Sequence, residues 1–340
     1  MMYRPLLAAC FAACSSAAFA QGAGQAASTG PAPSSKASGP VYPTKPIRLL
    51  VPNAPGGSNS FVARIVGDRI TASWGQPVLI DNRPGGHNVV SAEALLRSNP
   101  DGHTILFVTA SHAINPWLFH DDPYEFLRDF APVGSLTVTQ YILAVNAANV
   151  PATNLREFIA LAKSKPGELN AAGSNTGGIQ QIALELFDSL AGVKLNYVPY
   201  KGGGPGMTDL VGGHVQLAFN NAITFSPHLK SGKLRALAIG GQSRSPVLPD
   251  VPTFTESGVT GFDVNNWFGI VAPGRTPKPI VQKLSDEIAR ILTAPDVREK
   301  LLSQGAEPIV TNPQQFAAFY KAEHAKFGRI IKSAGIKLEQ

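Results

Sequence analysis

Short apolar runs alternate along this chain with longer stretches in which apolar residues recur every three or four positions. Ile47 to Val51, Val78 to Ile80 and Thr104 to Thr109 are runs of the first kind, bounded by turn residues, and predict strands buried on both faces. Between them Phe61, Val62, Ile65, Val66 and Ile70 keep helical spacing, as do Val89, Val90, Ala94 and Leu95, so the chain opens βαβαβ. A second set follows: helix Leu155 to Lys163, strand Leu169 to Ala172, helix Ile179 to Leu190, and strands Leu195 to Val198, Val215 to Phe219 and Leu234 to Ile239. Extended stretches near Val133 to Val145 and Trp267 to Ala272 are suited to carry the chain from one set to the other and back. The closing segments, Pro279 to Leu292, Val297 to Leu302 and Gln314 to Ile331, are helical by pattern and are expected to pack on the first set. This alternation predicts an α/β protein of two doubly wound domains, with ligands at the carboxyl ends of the strands.

Three turns occupy such positions: Pro55-Gly56-Gly57-Ser58-Asn59-Ser60 after the first strand, Thr109-Ala110-Ser111-His112 after the third, and Gly173-Ser174-Asn175-Thr176-Gly177-Gly178 in the second half. Each is expected to supply free backbone N–H groups, small hydroxyls or amides, and the positive end of a following helix. Neutral donors converging in this way suit an anion. Simple turns with helix caps would account for any one of them taken alone.

The nucleotide motifs do not fit. After Gly56-Gly57 come Ser58, Asn59, Ser60 and Phe61, so the lysine of a phosphate loop is missing, and Gly56, Gly57 and Gly67 lack the spacing of a dinucleotide fingerprint. A carboxylate asks for less charge: four or five charge-assisted contacts of about 1.5–3 kcal/mol each approach the roughly 8 kcal/mol of micromolar binding after ordering costs.

Composition narrows the class further. The formal charge of +6 becomes +5 once Arg4 is removed with residues 1–20, which hold no acid. Lys and Arg are scattered, without the basic and aromatic clusters of a nucleic-acid groove, so no nucleic-acid partner is expected. Met1 to Ala20 reads as an export signal, with Arg4, an apolar stretch from Leu6 to Cys14, and Ala18-Phe19-Ala20 as a cleavage site after Ala20. Leu7-Ala8-Ala9-Cys10 has the outline of a lipoprotein box, but only a four-residue apolar segment precedes Cys10. Both cysteines lie in this segment, so cleavage leaves no thiol. Gln21 to Pro40, rich in Gly, Ala, Ser and Pro, reads as a flexible spacer.

Catalytic constellations are scarce: there is no Gly-x-Ser-x-Gly elbow, and the seven histidines show no paired metal-ligand spacing. His120-Asp121-Asp122 reads as solvated surface before a metal site, so no metal or cofactor is expected. Lys201-Gly202-Gly203-Gly204-Pro205-Gly206 reads as a flexible turn feeding a helix from Met207 to Val211, with Lys201 on the surface or at the site.

From Tyr42 to Glu339 the chain resembles the Bug-type (Bordetella uptake gene) extracytoplasmic solute receptors of tripartite tricarboxylate transporters. The resemblance rests on ordered matches: Tyr-Pro-Thr-Lys-Pro-Ile-Arg at 42–48, Ala-Pro-Gly-Gly at 54–57, Gly-Gln-Pro-Val at 75–78, Asn-Arg-Pro-Gly at 82–85, Pro-Asp-Gly at 100–102 and His-Ala-Ile-Asn-Pro at 112–116. Asp-Phe-Ala-Pro-Val at 129–133, Val-Pro-Tyr-Lys-Gly at 198–202, Gly-Lys-Leu-Arg-Ala-Leu-Ala at 232–238, Leu-Pro-Asp-Val-Pro-Thr at 248–253 and Trp-Phe-Gly at 267–269 continue it. It implies a monomeric two-lobed periplasmic binding protein of type II, a Venus flytrap whose lobes are each a doubly wound, mainly parallel sheet flanked by helices. Lobe 1 is expected over 41–141 plus 265–340 and lobe 2 over 142–264. In that family one carboxylate is pinched by the turns after the first and third strands while the second lobe caps the distal end, and the ligand passes to membrane permease subunits. Carried onto this chain, the proximal contacts fall at Gly56, Gly57, Ser58, Asn59, Ala110 and Ser111, and the distal ones near Ser174, Asn175, Thr176, Lys201, Gly202 and Asn220. Asn53, Ser60 and His112 complete the expected set.

This chain departs from the family's usual residues at five positions. Asn53 replaces an aromatic before the turn, Ser60 an acid after it, Gln181 a histidine, and Gln216 and Asn220 acids. Fewer acids near an anion and an amide in place of an aromatic wall predict a small hydroxylated or amide-bearing carboxylate over an aromatic acid. Two other functions fit the same scaffold: an enzyme acting on small carboxylates, and a binding protein that signals to a periplasmic sensor domain.

Overall fold

The computed structural model describes residues 42–119, 123–201 and 203–336. The expected export signal over 1–20, the spacer over 21–40, the His120-Asp121-Asp122 stretch and Gly202 lie outside them. The first half runs β1 (Ile47–Val51), α1 (Ser58–Trp74), β2 (Val78–Asn82), α2 (Val89–Leu96), β3 (Thr104–Thr109), α3 (Ser111–Leu118), α4 (Phe126–Asp129) and β4 (Phe130–Asn146). Then come α5 (Leu155–Ser164), β5 (Asn170–Gly173), α6 (Ile179–Ala191), β6 (Asn196–Pro199), α7 (Gly203–Gly212), β7 (Leu217–Asn221), α8 (Ala222–Lys230) and β8 (Leu234–Ile239). The chain closes with β9 (Asn265–Pro273), α9 (Lys278–Thr293), α10 (Pro295–Leu302), β10 (Ala306–Pro308) and α11 (Pro313–Ser333).

Two sheets share one strand. In the first, β2, β1 and β3 run parallel, and β9 is antiparallel to both β3 and β4, so β4 points the same way as the first three. In the second, β6, β5 and β7 run parallel, and β7 and β8 both lie antiparallel to β4. Each sheet is thus mainly parallel in strand direction, the reversed member being β9 in the first and the shared strand β4 itself in the second. β4 pairs with β9 from Phe130 to Gln140 and with β7 from Tyr141 to Val145, so the passage between lobes falls at Gln140–Tyr141. The expected return crossing over Trp267 to Ala272 is displaced: those residues sit inside the first sheet, and the chain returns through the segment between β8 and β9, where the Gly240 amide donates to the Tyr141 carbonyl at 2.6 Å.

Burial explains the strands and helices. Ile47, Leu49, Leu50 and Val51 are all essentially inaccessible, as the apolar positions of β1 require, while Arg48 between them is partly exposed. One face of the first sheet packs on α1, α9 and α10 through Val62, Val66, Leu284, Ile288 and Val297. The opposite faces of both sheets form a continuous apolar layer that includes Phe158, Phe187, Phe219, Trp267 and Phe316. α11 opens with Pro313 and a reciprocal capping box between Asn312 and Gln315, and packs on α3 and β4, keeping the carboxy-terminal helix on the first lobe. Among the described residues no helix is long and apolar enough to cross a membrane.

Candidate functional site

The strand ends of the two lobes face each other across a cleft. β1 leads through Asn53 to a turn in which Gly56 is left-handed (φ 100°), a conformation open to glycine, and Gly57 is extended. The first bond of α1 runs from the Phe61 amide to the Gly57 carbonyl at 3.3 Å, so the amides of Ser58, Asn59 and Ser60 precede the helical ladder. No acidic residue stands in the first turn of α1, and none in that of α3, which follows β3 directly. Both helix starts therefore present unneutralised positive ends.

A cavity of about 50 Å³ lies where these starts meet the second lobe. Of the residues expected from the sequence, Asn53, Gly57, Ser58, Asn59 and Ser111 line it from the first lobe and Ser174, Asn175 and Asn220 from the second. Tyr141, Gln180, Thr224 and Asn266 also line it, without having been expected. Tyr141 stands at the passage between the sheets, and burial raises its phenol well above the usual value, so it stays a neutral donor. Asn266 is 6 % exposed and its Oδ1 has no hydrogen-bond partner among the described residues. Among the described residues no charged one lines the cavity.

Other expected residues sit elsewhere. The Gly56 amide is taken by Ser60 Oγ at 3.3 Å, and both residues border a separate surface cavity with Phe61, Arg64 and Lys300 on the far side of the turn. Ala110 is wholly buried, its carbonyl accepting from the Ala113 and Ile114 amides. His112 is equally buried; its Nδ1 lies 3.2 Å from the Thr109 amide nitrogen, and burial lowers its pKa to about 4, so it offers an anion no charge. Thr176 uses its carbonyl as an acceptor for His87 Nδ1–H at 2.8 Å across the cleft. Lys201 lines a neighbouring cavity with Asn53, Ser174 and Asn175.

The second-lobe turn also differs from expectation in its backbone. The Ser174 amide donates to Gln180 Oε1 and the Gly177 amide to Gln181 Oε1 at 2.8 Å, while the Gly178 amide turns back to Asn175. Three of the turn's amides, those of Ser174, Gly177 and Gly178, are thus spent inside the lobe. The lobes are joined by a second direct bond, from Asn221 Nδ2 to Ser58 Oγ at 3.1 Å, with Asn221 also capping α8 through the Thr224 amide. Among the described residues no group of three His, Cys, Asp or Glu is placed to hold a metal.

Two α/β lobes joined by a shared strand, with a polar cleft at the strand ends, define a solute-binding protein of the periplasmic type. The profile of the tripartite tricarboxylate transporter family receptor matches residues 62–336, and the chain belongs to that family of solute-binding receptors, which are not enzymes. It is 35% identical to the protein BugT of Bordetella pertussis over 301 residues, 88% of this chain and 92% of BugT. Among solved structures, R. palustris Rpa4515 with adipate superposes with a TM-score of 0.85 at 33% identity, covering 87% of this chain and 99% of that one. MatC from Rhodopseudomonas palustris with bound malate gives 0.80 at 32%, covering 85% and 100%.

Proposed function

We propose that this receptor works in the periplasm, closes its lobes on a small organic acid, and delivers the acid to the permease subunits of a tripartite tricarboxylate transporter. One observation carries the reading: α1 and α3 open onto a cavity that is lined by hydroxyls and amides and, among the described residues, by no acid. Helix starts and neutral donors stabilise an anion without a fixed cation. Similarity to proteins bound to adipate and malate supports a carboxylate as that anion.

The first lobe is taken as residues 41–141 with 265–340 and the second as 142–264, with Gly57, Ser58, Asn59 and Ser111 holding the carboxylate and Ser174, Asn175 and Asn220 facing the rest of the ligand. The unpartnered Asn266 Oδ1 is matched by a hydroxyl donor, which favours a polar acid over an aromatic one. Residues 1–20 direct export and are removed after Ala20, a step read out by amino-terminal sequencing of the periplasmic protein.

Calorimetry with malate, adipate and benzoate tests the function. Saturable binding of the aliphatic acids without turnover is expected. Binding of benzoate alone, or product formation abolished by Ser111→Ala, would overturn it.

A further inference from the structure

The bond across the cleft from His87 Nδ1–H to the Thr176 carbonyl starts from an unusual backbone. Gly85, Gly86, His87 and Asn88 follow one another at positive φ, of 118°, 53°, 52° and 76°, and two of the four carry side chains. Glycine adopts such angles freely, whereas a residue with a Cβ is strained by them and keeps them only where neighbouring contacts impose them.

For His87 those contacts come from α3. Asn115 Nδ2, on a wholly buried side chain, donates to the His87 carbonyl, and the His87 ring stacks on Phe119 with centroids 4.0 Å apart and planes 21° apart. Backbone and ring are both fixed within the first lobe, and this places Nδ1 2.8 Å from the Thr176 carbonyl of the second. α3 starts at Ser111 in the small cavity and ends at Phe119, so one helix carries both a wall of the ligand site and the support of His87. His87 itself does not line that cavity.

On the other side the Thr176 carbonyl accepts a second donor, Asn175 Nδ2 at 3.3 Å, and Asn175 Oδ1 accepts from Ser174 Oγ at 2.9 Å. Ser174 and Asn175 both line the small cavity. A chain of hydrogen bonds therefore runs from a prearranged first-lobe imidazole to two side chains at the ligand site, and it is continuous only while the lobes are together.

We propose that His87 is a positioning residue for ligand capture: it latches the closed lobes through Thr176, steadies Asn175 and Ser174 at the cavity, and so slows escape of the acid without touching it. The inference rests on the lobe closure of the proposed function, and it gives the strained loop a use, since its backbone aims the imidazole at the other lobe. A bond made only in the closed state lowers the dissociation rate and leaves association, which begins from open lobes, unchanged.

Stopped-flow kinetics of malate and adipate binding to the purified mature protein tests this. His87→Gly keeps the positive φ without strain and removes the imidazole, so dissociation is expected to quicken about fivefold, the scale of one neutral hydrogen bond, with association unchanged. His87→Asn, which tolerates positive φ and carries an amide donor near the place of Nδ1, should restore slow dissociation. Both cysteines precede residue 20, so spin labels at Ala72→Cys in α1 and Ser189→Cys in α6, two exposed positions, report lobe separation without ligand. The open distance is expected to gain population in His87→Gly and not in His87→Asn. Dissociation rates and separations equal in His87→Gly and the wild type overturn the latch, as does a loss confined to association. A wild type that binds neither acid overturns the carboxylate reading instead, and the label distances then decide the latch alone.

Discussion

At Gly56–Ser60 the backbone leaves a strand and starts a helix with the amides of Ser58, Asn59 and Ser60 ahead of the helical ladder, whereas at Ser174–Gly178 three amides, those of Ser174, Gly177 and Gly178, are consumed inside the lobe by Gln180, Gln181 and Asn175. The two turns are alike in composition and opposite in use. The first presents dipoles, which respond to charge. The second is a braced frame, with Tyr197 donating to the Asn175 carbonyl at 2.6 Å, and presents the Ser174 and Asn175 side chains in fixed places. On the proposed carboxylate reading the first turn serves charge recognition and the second shape, and substitutions that treat the turns alike should separate them.

Glycine replacement gives the largest difference. A Cβ on Gly173 would overlap the Tyr197 ring and hydroxyl, so Gly173→Ala combines overpacking with loss of the Tyr197 bond and should destabilise by about 3 kcal/mol. A Cβ on Gly57 meets nothing within 4 Å and the residue is extended, so Gly57→Ala should stay within about 0.5 kcal/mol. Urea denaturation measures both. Equal losses would mean that the second turn is not braced as described.

Added charge comes next. Asn59→Asp places a carboxylate at the start of α1 and should weaken binding of an aliphatic acid about a hundredfold, from like-charge repulsion in a partly dry cleft. Folding stability should hold, since an acid suits a helix start. Asn175→Asp, across the cavity, should cost about tenfold. Calorimetry on the two variants ranks the lobes, and a larger loss at Asn175 would reverse the assignment of charge recognition.

The bracing glutamines follow. Gln181→Ala leaves the buried Gly177 amide without an acceptor and should destabilise by about 1–2 kcal/mol. Ser60→Ala removes only an exposed, 3.3 Å bond to Gly56, and a change of a few tenths of a kcal/mol is expected in the same urea titrations.

These glutamines mark where the sequence could be read and where it could not. The strands and long helices were legible because period and burial agree, as in β1 and α1. α8 was hidden by Pro227, which reads as a breaker, and α3, expected only as a helix start after Thr109–His112, runs on through Pro116. In α3 the His112 carbonyl, which loses its usual donor at Pro116, instead accepts from the Tyr320 hydroxyl at 3.2 Å, a contact 208 residues away that no local pattern reveals. At the cleft, glycine and small polar residues pointed to the right turns but not to which amides were already spent. Among the departures from the family's usual residues, Asn53 and Asn220 reach the cavity, while Gln216 serves the sheet by accepting from the Asn170 amide at 2.9 Å. Tyr141 and Asn266 were missed because nothing in an extended apolar stretch says which side chain stands at the passage between sheets.

Carboxylates titrate in opposite senses on the two sides, and this gives an effect that depends on pH. In the first lobe, Asp81 at the end of β2 is pulled upward by burial, but hydrogen bonds from Arg48 and Arg83 outweigh it and leave its pKa below the usual value. In the second lobe, burial raises Asp188 on α6 to about 7, with the Leu195 amide opposing the rise and Glu185 adding to it; Oδ1 has no hydrogen-bond partner among the described residues. Asp188 thus holds more protons folded than unfolded between its ordinary value of 3.8 and about 7. Its contribution is fully present below the lower value and is lost as pH rises through the higher one. Asp81 has the reverse sign: its contribution is present above the ordinary value and is lost as pH falls through its depressed one. Asp188→Asn keeps an acceptor for the Leu195 amide and removes the ionisation, so it should stabilise at pH 8 by about 1 kcal/mol, allowing for solvent around a half-buried group, and by nothing near pH 4. Asp81→Asn should destabilise at pH 8 and lose its effect in acid. Thermal melts of both variants at the two pH values check the signs, and a pH-independent Asp188→Asn would show that this carboxylate is ionised in the folded lobe.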